Sequence, residues 1–112
     1  MKVHNHETAG GKDLIYAYLN KLSKIEKADG LLVLEKLQNE NLDGLVIKPW
    51  RGKILEVYFH DDNRIFYVVA DAENTYVLHA CRKQKNRTET KDSEKVIERA
   101  RKLGEILSKK FI

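Results

Sequence analysis

The sequence predicts a single α+β domain with an N-terminal helical hairpin, an antiparallel β-meander of three to four strands and a C-terminal helix. Three observations support this prediction. Apolar residues recur at helical spacing in residues 12–40, β-branched and aromatic residues fill three short segments within residues 54–81, and helical spacing returns after residue 92. A length of 112 residues suits one hydrophobic core, so residues 1–112 are expected to form one domain.

Two consecutive helices are expected in the N-terminal part, after an irregular or edge-strand start in residues 1–11. The first helix is expected from Lys12, and Asp29-Gly30 then interrupts the helical pattern. A shorter second helix is expected over about residues 31–40, which makes the pair a helical hairpin. The first stripe consists of Leu14, Ile15, Tyr18, Leu19, Leu22 and Ile25, and the second of Leu31, Leu34 and Leu37.

Three strands are expected at residues 54–59, 64–70 and 75–81, and residues 45–47 offer a short fourth one. Polar four-residue turns at 60–63 and 71–74 separate them, and the acidic pair Asp61-Asp62 suits such a turn. Residues 82–92 are expected to form a polar loop. Asp92 or Ser93 is then expected to cap the last helix, whose stripe contains Val96, Ala100, Leu103 and Leu107.

Positive charge is concentrated near the C-terminus. Residues 1–81 contain 10 Lys/Arg and 12 Asp/Glu, whereas residues 82–112 contain 11 Lys/Arg and 5 Asp/Glu. Such a directional field favours a polyanionic partner such as RNA, although a solvated C-terminal helix would explain the same counts. No apolar run is long enough for a membrane span, the N-terminus does not resemble a signal peptide, and Cys81 is the only cysteine. A cytoplasmic protein without membrane contact is therefore expected.

Strand register predicts which charged residues lie together. If both turns have four residues, Phe59 pairs with Arg64 and Ala70 with Thr75, which places Arg64 opposite Cys81. Arg64 and His79 then project from the same side of the sheet, roughly 7–8 Å apart as diagonal neighbours. The segment after the third strand adds Arg82, Lys83, Lys85, Arg87 and Thr88.

This constellation is rich in cations and poor in carboxylates. Metal-dependent nucleases need paired carboxylates, and a zinc site needs three or four Cys or His ligands, so no metal and no cofactor is expected. Cations alone can cleave RNA, because the ribose 2′-hydroxyl is a nucleophile already tethered beside the phosphate. Arginine can stabilise the phosphate charge, while histidine or a lysine of depressed pKa can transfer protons.

The chain resembles a known family in the order and spacing of its motifs. It contains Leu55-Glu56-Val57-Tyr58, Arg64-Ile65-Phe66-Tyr67 and Leu78-His79-Ala80-Cys81, then basic residues from Lys83 to Thr88 and Val96-Ile97-Glu98-Arg99-Ala100. From about Gly11 to Ala100 it resembles the RelE superfamily of bacterial toxins, most closely the phage-type HigB branch. There the motifs read Glu-Leu-Arg, Arg-x-x-Tyr and Leu-His-x-Phe, followed by a Lys/Arg-Thr loop and Ile-Glu-x-Ala. Three positions depart from the pattern: Tyr58 replaces Arg, Cys81 replaces the aromatic residue and Glu89 replaces Pro.

The resemblance implies a type II toxin that cleaves mRNA, often on the ribosome, and that a cognate antitoxin neutralises. By position it implies Arg64, His79, Lys83 and Arg87 as catalytic residues, with His79 and Lys83 for proton transfer and the two arginines for the phosphate. RNA-binding residues are expected at Lys53, Arg82, Lys85 and Thr88. The antitoxin is expected to contact residues 82–112, where the positive charge lies.

Two other functions stay open. Sister families with this fold inhibit DNA gyrase by binding, and the replacement of Arg by Tyr58 would suit such a toxin. A non-catalytic phage protein that binds nucleic acid is the other alternative.

Overall fold

The computed structural model describes residues 1–83 and 90–112 and has the predicted α+β architecture. The elements follow one another as β1 (Lys2–Asn5), α1 (Leu14–Leu19), α2 (Lys24–Gln38), β2 (Val46–Arg51), β3 (Ile54–Phe59), β4 (Asn63–Val69), β5 (Asn74–Arg82) and α3 (Thr90–Leu107). Strands β2 to β5 form the expected antiparallel meander. The N-terminal segment adds the edge strand β1, which pairs parallel with β5 and gives the order β1-β5-β4-β3-β2.

The sheet has two apolar faces, each covered by different helices. Because side chains alternate along a strand, Ile65 and Tyr67 of β4 pack against α1 and α2, while Phe66 and Val68 pack on the side of α3. This explains why β4 is an almost uninterrupted apolar run, in which only Val69 is exposed among its apolar residues. Among the described residues no helix is long and apolar enough to cross a bilayer.

The break between the first two helices lies earlier than the sequence predicts. Helix α1 ends at Leu19 and α2 begins after Ser23, whose hydroxyl accepts a hydrogen bond from the Glu26 amide. Asp29-Gly30 is wrong as a break, because Gly30 lies inside α2. A Cβ at Gly30 would lie 2.5 Å from Leu19 Cδ2 and 3.0 Å from Phe59 Cε2, so this glycine allows α2 to pack closely on α1 and the sheet.

The strand register differs from the prediction in both hairpins, and in the second one a bulge restores the predicted pairs. The β3–β4 turn has three residues, so Tyr58 rather than Phe59 pairs with Arg64. Asp61 and Asp62 both take positive φ values in this turn, which asparagine and aspartate tolerate better than most residues. At the other end Val69 rather than Ala70 pairs with Thr75, but a β-bulge between Phe66 and Tyr67 restores the predicted pairs Phe66 with His79 and Arg64 with Cys81.

The C-terminal helix begins slightly before its predicted cap. Helix α3 starts at Thr90, so Asp92 lies in its first turn instead of capping it. After Leu107 the chain turns at Ser108, which has a φ of 53°, and folds back against the sheet. Phe111 is buried in the core on the α3 side, and its carbonyl accepts a hydrogen bond from the Lys53 amide.

Candidate functional site

The charged residues predicted to converge lie at the end of the sheet where β3, β4 and β5 meet. Arg64 pairs with Tyr58 on one side and with Cys81 on the other. Since paired residues share a face, Tyr58 and Arg64 project from the side of the sheet that α3 partly covers. Glu56, two residues before Tyr58 on β3, projects from that side as well.

Arg64 is a buried cation rather than a surface charge. Its side chain is 2% exposed, and its Nη1 donates a 2.7 Å hydrogen bond to Glu56 Oε2. Glu56 is itself buried, so the two groups neutralise each other inside the protein. Removing one partner of such a pair leaves an uncompensated buried charge, which costs about 3–5 kcal/mol. Arg64 therefore offsets the charge of Glu56 beneath the surface and also helps to hold the fold together.

Tyr58 is surrounded by three cations, and we call Lys48, Glu56, Tyr58, Arg64 and Lys83 the tyrosine cluster. The Lys48 and Lys83 ammonium nitrogens lie 5.2 and 5.3 Å from the centre of the Tyr58 ring, and the Arg64 guanidinium carbon lies 5.1 Å from it. Each cation lies within the range of a cation–π interaction. The cluster thus joins β2, β3, β4 and the exit of β5 around one ring.

The Tyr58 hydroxyl is engaged as well as its ring. It donates a 2.8 Å hydrogen bond to Glu56 Oε1, and it accepts a 3.5 Å hydrogen bond from Lys83 Nζ. Burial, together with the hydrogen bond to Glu56, raises the pKa of Tyr58, so the phenol keeps its proton at neutral pH. Lys83 is half-buried, and its amide donates a hydrogen bond to the Asp62 carbonyl, which fixes the chain where β5 ends.

His79 lies on the side of α3 and is held by two residues of that helix. Its Nε2 lies 2.7 Å from Asp92 Oδ1, and its Nδ1 lies 2.9 Å from Arg99 Nη1. A guanidinium can only donate, so Nδ1 accepts and Nε2 carries the proton of a neutral ring. Burial lowers the pKa of His79 and outweighs the opposing effect of Asp92. In this arrangement His79 joins β5 to α3.

Arg82 points to the opposite face of the sheet from Arg64. It bonds Glu26 Oε2 and, at 3.0 Å, the Asp61 carbonyl. Glu26 also accepts a 2.7 Å hydrogen bond from Asn63 Nδ2, and the Tyr18 hydroxyl donates to the same Asn63 side chain. These contacts connect Arg82 to α1 and α2 through a buried polar network and separate it from the tyrosine cluster.

The remaining predicted site residues are spread over other parts of the chain. Lys53 is exposed in the β2–β3 turn, beside the C-terminal tail. Lys85, Arg87 and Thr88 lie outside the described residues. The structure thus brings Arg64 and Lys83 together around Tyr58 and places His79 in contact with α3, while Arg82 lies on the opposite face.

One group of side chains has donors of the kind that bind metals. Among the described residues, these side chains are His79, Cys81 and Asp92, whose ligand atoms all lie within 4.8 Å of one another. Burial raises the pKa of Cys81 to about 12, which opposes the thiolate that a metal requires. In addition, the contact with Arg99 keeps a proton on His79 Nε2. With the Cys81 thiol and His79 Nε2 both protonated, these three side chains do not fit a metal ion.

Sequence reasoning missed Lys48, Glu56, Asp92 and Arg99 as partners of the site. Glu56 could have been found, because it is an acidic residue on the same face of β3 as Tyr58. Lys48 required the β2–β3 register, in which it pairs with Glu56. Asp92 and Arg99 required the docking of α3 on β5, which no local pattern reveals.

Comparison with known families identifies a family model that matches this chain. Residues 17–101 match the family model described as "Phage derived protein Gp49-like (DUF891)", which covers most of the chain from α1 to α3. A comparison with curated proteins finds no match.

Proposed function

The chain belongs to the Gp49-like phage-derived family, a toxin family of the RelE/ParE kind, and on that premise we propose that it is a type II toxin with endoribonuclease activity. The proposed substrate is mRNA, cut on the ribosome without a metal or cofactor, and the chain would fall in the HigB branch. The proposed location is the cytoplasm. A toxin family implies an antitoxin partner, and we place the antitoxin's contact in residues 82–112.

The convergence of three cations on Tyr58 carries this proposal. Cleavage through the 2′-hydroxyl develops negative charge on a phosphate, and positively charged groups fixed near that phosphate stabilise it. Lys48 from β2 and Lys83 directly after β5 meet at one ring, and Arg64 below it offsets the charge of Glu56. Charges gathered in this way suit a phosphate that is held at a defined point.

The proposed roles follow from exposure. Lys83 is half-buried at the edge of the cluster and would donate the proton to the leaving 5′-oxygen. Arg87, as predicted, would contact the scissile phosphate directly, and Arg64 would stabilise it at longer range. His79 stays a predicted proton-transfer residue that would first have to release Arg99 or Asp92. Lys53, Lys85 and Thr88 would contact the RNA backbone, whereas Arg82 would need to leave Glu26 to do so.

The burial of two predicted catalytic side chains favours a second candidate function. Arg64 is 2% exposed and His79 is 8% exposed, and both are held by neighbouring charged residues. A toxin that inhibits DNA gyrase by binding would need neither group at its surface.

Mapping of mRNA 5′ ends in a cell-free translation reaction tests the proposal. We expect new mRNA 5′ ends inside reading frames, and these ends should appear only when ribosomes are present. Their rate of formation should fall at least about 100-fold in Lys83→Gln and in Arg87→Ala. Lys91→Gln, an exposed lysine at the start of α3, is the matched control and should cleave normally. Arg64 is a poor test position, because its loss would also destabilise the fold by about 3–5 kcal/mol. Growth arrest and gyrase inhibition without new ends would instead establish the binding toxin.

Hydrogen exchange in a co-purified complex tests the partner proposal. We expect the antitoxin to slow exchange in residues 82–112, because the acidic segment of an antitoxin would be attracted to this basic part. Protection confined to residues 1–81 would contradict this expectation.

A further inference from the structure

The tyrosine cluster contains the Tyr58 hydroxyl, which has no role in the proposed function as described so far. Tyr58 replaces the arginine expected at this position, so part of the positive charge is exchanged for a group that can both accept and donate a proton. Its proton points to Glu56 Oε1 at 2.8 Å, which directs the lone pairs of its oxygen away from that carboxylate. Tyr58 is half-buried, whereas Glu56 is 5% exposed. Tyr58 therefore connects a buried carboxylate to the surface of the cluster.

We propose that Tyr58 is a catalytic residue that relays the proton of the attacking ribose 2′-hydroxyl to Glu56; this inference rests on the proposed ribonuclease function. As the 2′-oxygen bonds to phosphorus, its proton passes to Tyr58 Oη and the proton of Tyr58 passes to Glu56 Oε1. The bond from phosphorus to the 5′-oxygen breaks, and Lys83 protonates that oxygen. The products are a 2′,3′-cyclic phosphate and a 5′-hydroxyl end.

The same contacts allow the enzyme to reset without a further reactant. After cleavage Glu56 holds one extra proton and Lys83 lacks one. Lys83 Nζ lies 3.5 Å from Tyr58 Oη, so the proton of Glu56 can return to Lys83 through the same hydroxyl. The relay never requires a free tyrosinate, which agrees with the raised pKa of Tyr58. Glu56 acts through Tyr58 and is a positioning residue, held in place by Arg64.

The decisive variant is Tyr58→Phe, which removes the hydroxyl and keeps the ring between the three cations. General acid–base catalysis contributes about 10²–10⁴-fold, so we expect the single-turnover cleavage rate on programmed ribosomes to fall at least about 100-fold. RNA affinity should stay within about twofold, because the cations remain in place. Tyr16→Phe, at an exposed tyrosine of α1, is the matched control and should cleave at the wild-type rate.

Separate measurements of cleavage rate and RNA affinity in a Glu56 variant distinguish a relay from a structural role. Among the residues that the structure describes, the charged groups that face Tyr58 are Glu56 from its own strand, Lys48 from β2, Arg64 from β4, Asp62 from the turn and Lys83 after β5. Glu56→Gln keeps the side-chain shape but cannot accept the proton, so we expect its single-turnover cleavage rate to fall at least about 100-fold while its RNA affinity stays within about twofold. Unfolding curves of this variant verify that it is folded, and Tyr58→Phe alone decides if it is not.

The outcomes distinguish the two proposals. If wild-type protein cleaves and Tyr58→Phe cleaves equally fast, or loses only RNA affinity, the relay is wrong and the ribonuclease proposal stands. If wild-type protein gives no cleavage with or without ribosomes, the proposed function fails, and the relay fails with it. A Tyr58→Arg variant that cleaves as fast as wild type would also contradict a specific need for the hydroxyl.

Discussion

At the scale of single residues, burial decides what a charged side chain can do. Arg64 and His79 were predicted from their strand positions and spacing, and they lie on the predicted face of the sheet. Their partners could not be predicted, because Glu56 meets Arg64 only through the β3–β4 register and Asp92 meets His79 only when α3 docks. Tyr58 was visible in the sequence only as a departure from the family motif, and its three cationic neighbours depend on the fold.

The neutral state of His79 makes a testable difference to stability. Burial lowers the pKa of this ring in the folded protein below its usual value of 6.5. Above pH 6.5 the ring is neutral in both states, whereas below it the unfolded chain binds a proton that the folded protein does not. The free energy of unfolding should therefore fall as the pH drops below 6.5, as measured by denaturant titrations at pH 7.5 and 5.5.

His79→Gln should remove part of that dependence, because glutamine can donate to Asp92 but does not titrate. His6 needs a separate control, since burial also lowers its pKa and adds a dependence of the same sign. His6→Gln should keep the contribution of His79. An NMR titration in which the His79 ring takes up a proton at or above pH 6.5 would contradict the neutral, paired state.

At the scale of elements, local patterns predicted element types well and element boundaries less well. The helices and the meander follow from the spacing of apolar residues. The helix break was misplaced because Gly30 was interpreted as a breaker, whereas its role is close packing against Leu19 and Phe59. The turn length and the bulge were also missed, because both depend on backbone conformations at Asp61, Asp62 and the Phe66–Tyr67 step. The pairing of β1 with β5 joins segments far apart in sequence.

Replacement of Gly30 distinguishes packing from helix propensity. Alanine is favoured over glycine in a helix by about 1 kcal/mol, which alone would stabilise α2. The new Cβ would lie 2.5 Å from Leu19 Cδ2, in a core that has no room for it. Overpacking costs about 1–3 kcal/mol, which offsets the gain in helix propensity, so we expect Gly30→Ala to lower the free energy of unfolding by up to about 2 kcal/mol in urea titrations. Gly10→Ala, where the nearest atom is Thr8 Oγ1 at 3.9 Å, should be close to neutral, and a stabilised Gly30→Ala protein would contradict the packing role.

The Glu26 network makes the helical hairpin sensitive to acid. Hydrogen bonds from Asn63 and Ser23 lower the pKa of Glu26 to about 2. This carboxylate therefore contributes stability that is complete above its unfolded pKa of 4.5 and is lost as the pH falls from 4.5 towards 2. Unfolding followed by circular dichroism should show a smaller acid dependence in Glu26→Gln. Glu35→Gln, at an exposed position of α2, should behave like the wild type in this range, and equal behaviour of both variants would refute the role of the network.

At the scale of the whole molecule, the helices leave one part of the sheet to the tyrosine cluster. Helices α1 and α2 cover one face, while α3 packs on β5 and contacts His79 on the other. Lys48 on the outer strand β2 stays exposed on the face shared with Glu56 and Tyr58. The basic residues after residue 82 follow directly from β5. Among the described residues, Lys83 is the member of this basic part that reaches the tyrosine cluster, whereas Lys109 contacts the Ala70 carbonyl beyond the other end of β4.

This arrangement predicts which lysines determine the salt dependence of RNA binding. Each phosphate neutralised on single-stranded RNA contributes about 0.7 to the slope of log affinity against log salt. Lys48→Gln and Lys83→Gln should each reduce that slope by about 0.7. The affinity is measured between about 50 and 200 mM salt with 2′-O-methyl RNA, because this RNA lacks the free nucleophile and is not cleaved. Lys24→Gln, exposed at the start of α2, should leave the slope unchanged. Equal slopes in all three variants would mean that RNA is bound elsewhere, because only a phosphate held at the tyrosine cluster distinguishes Lys48 and Lys83 from Lys24.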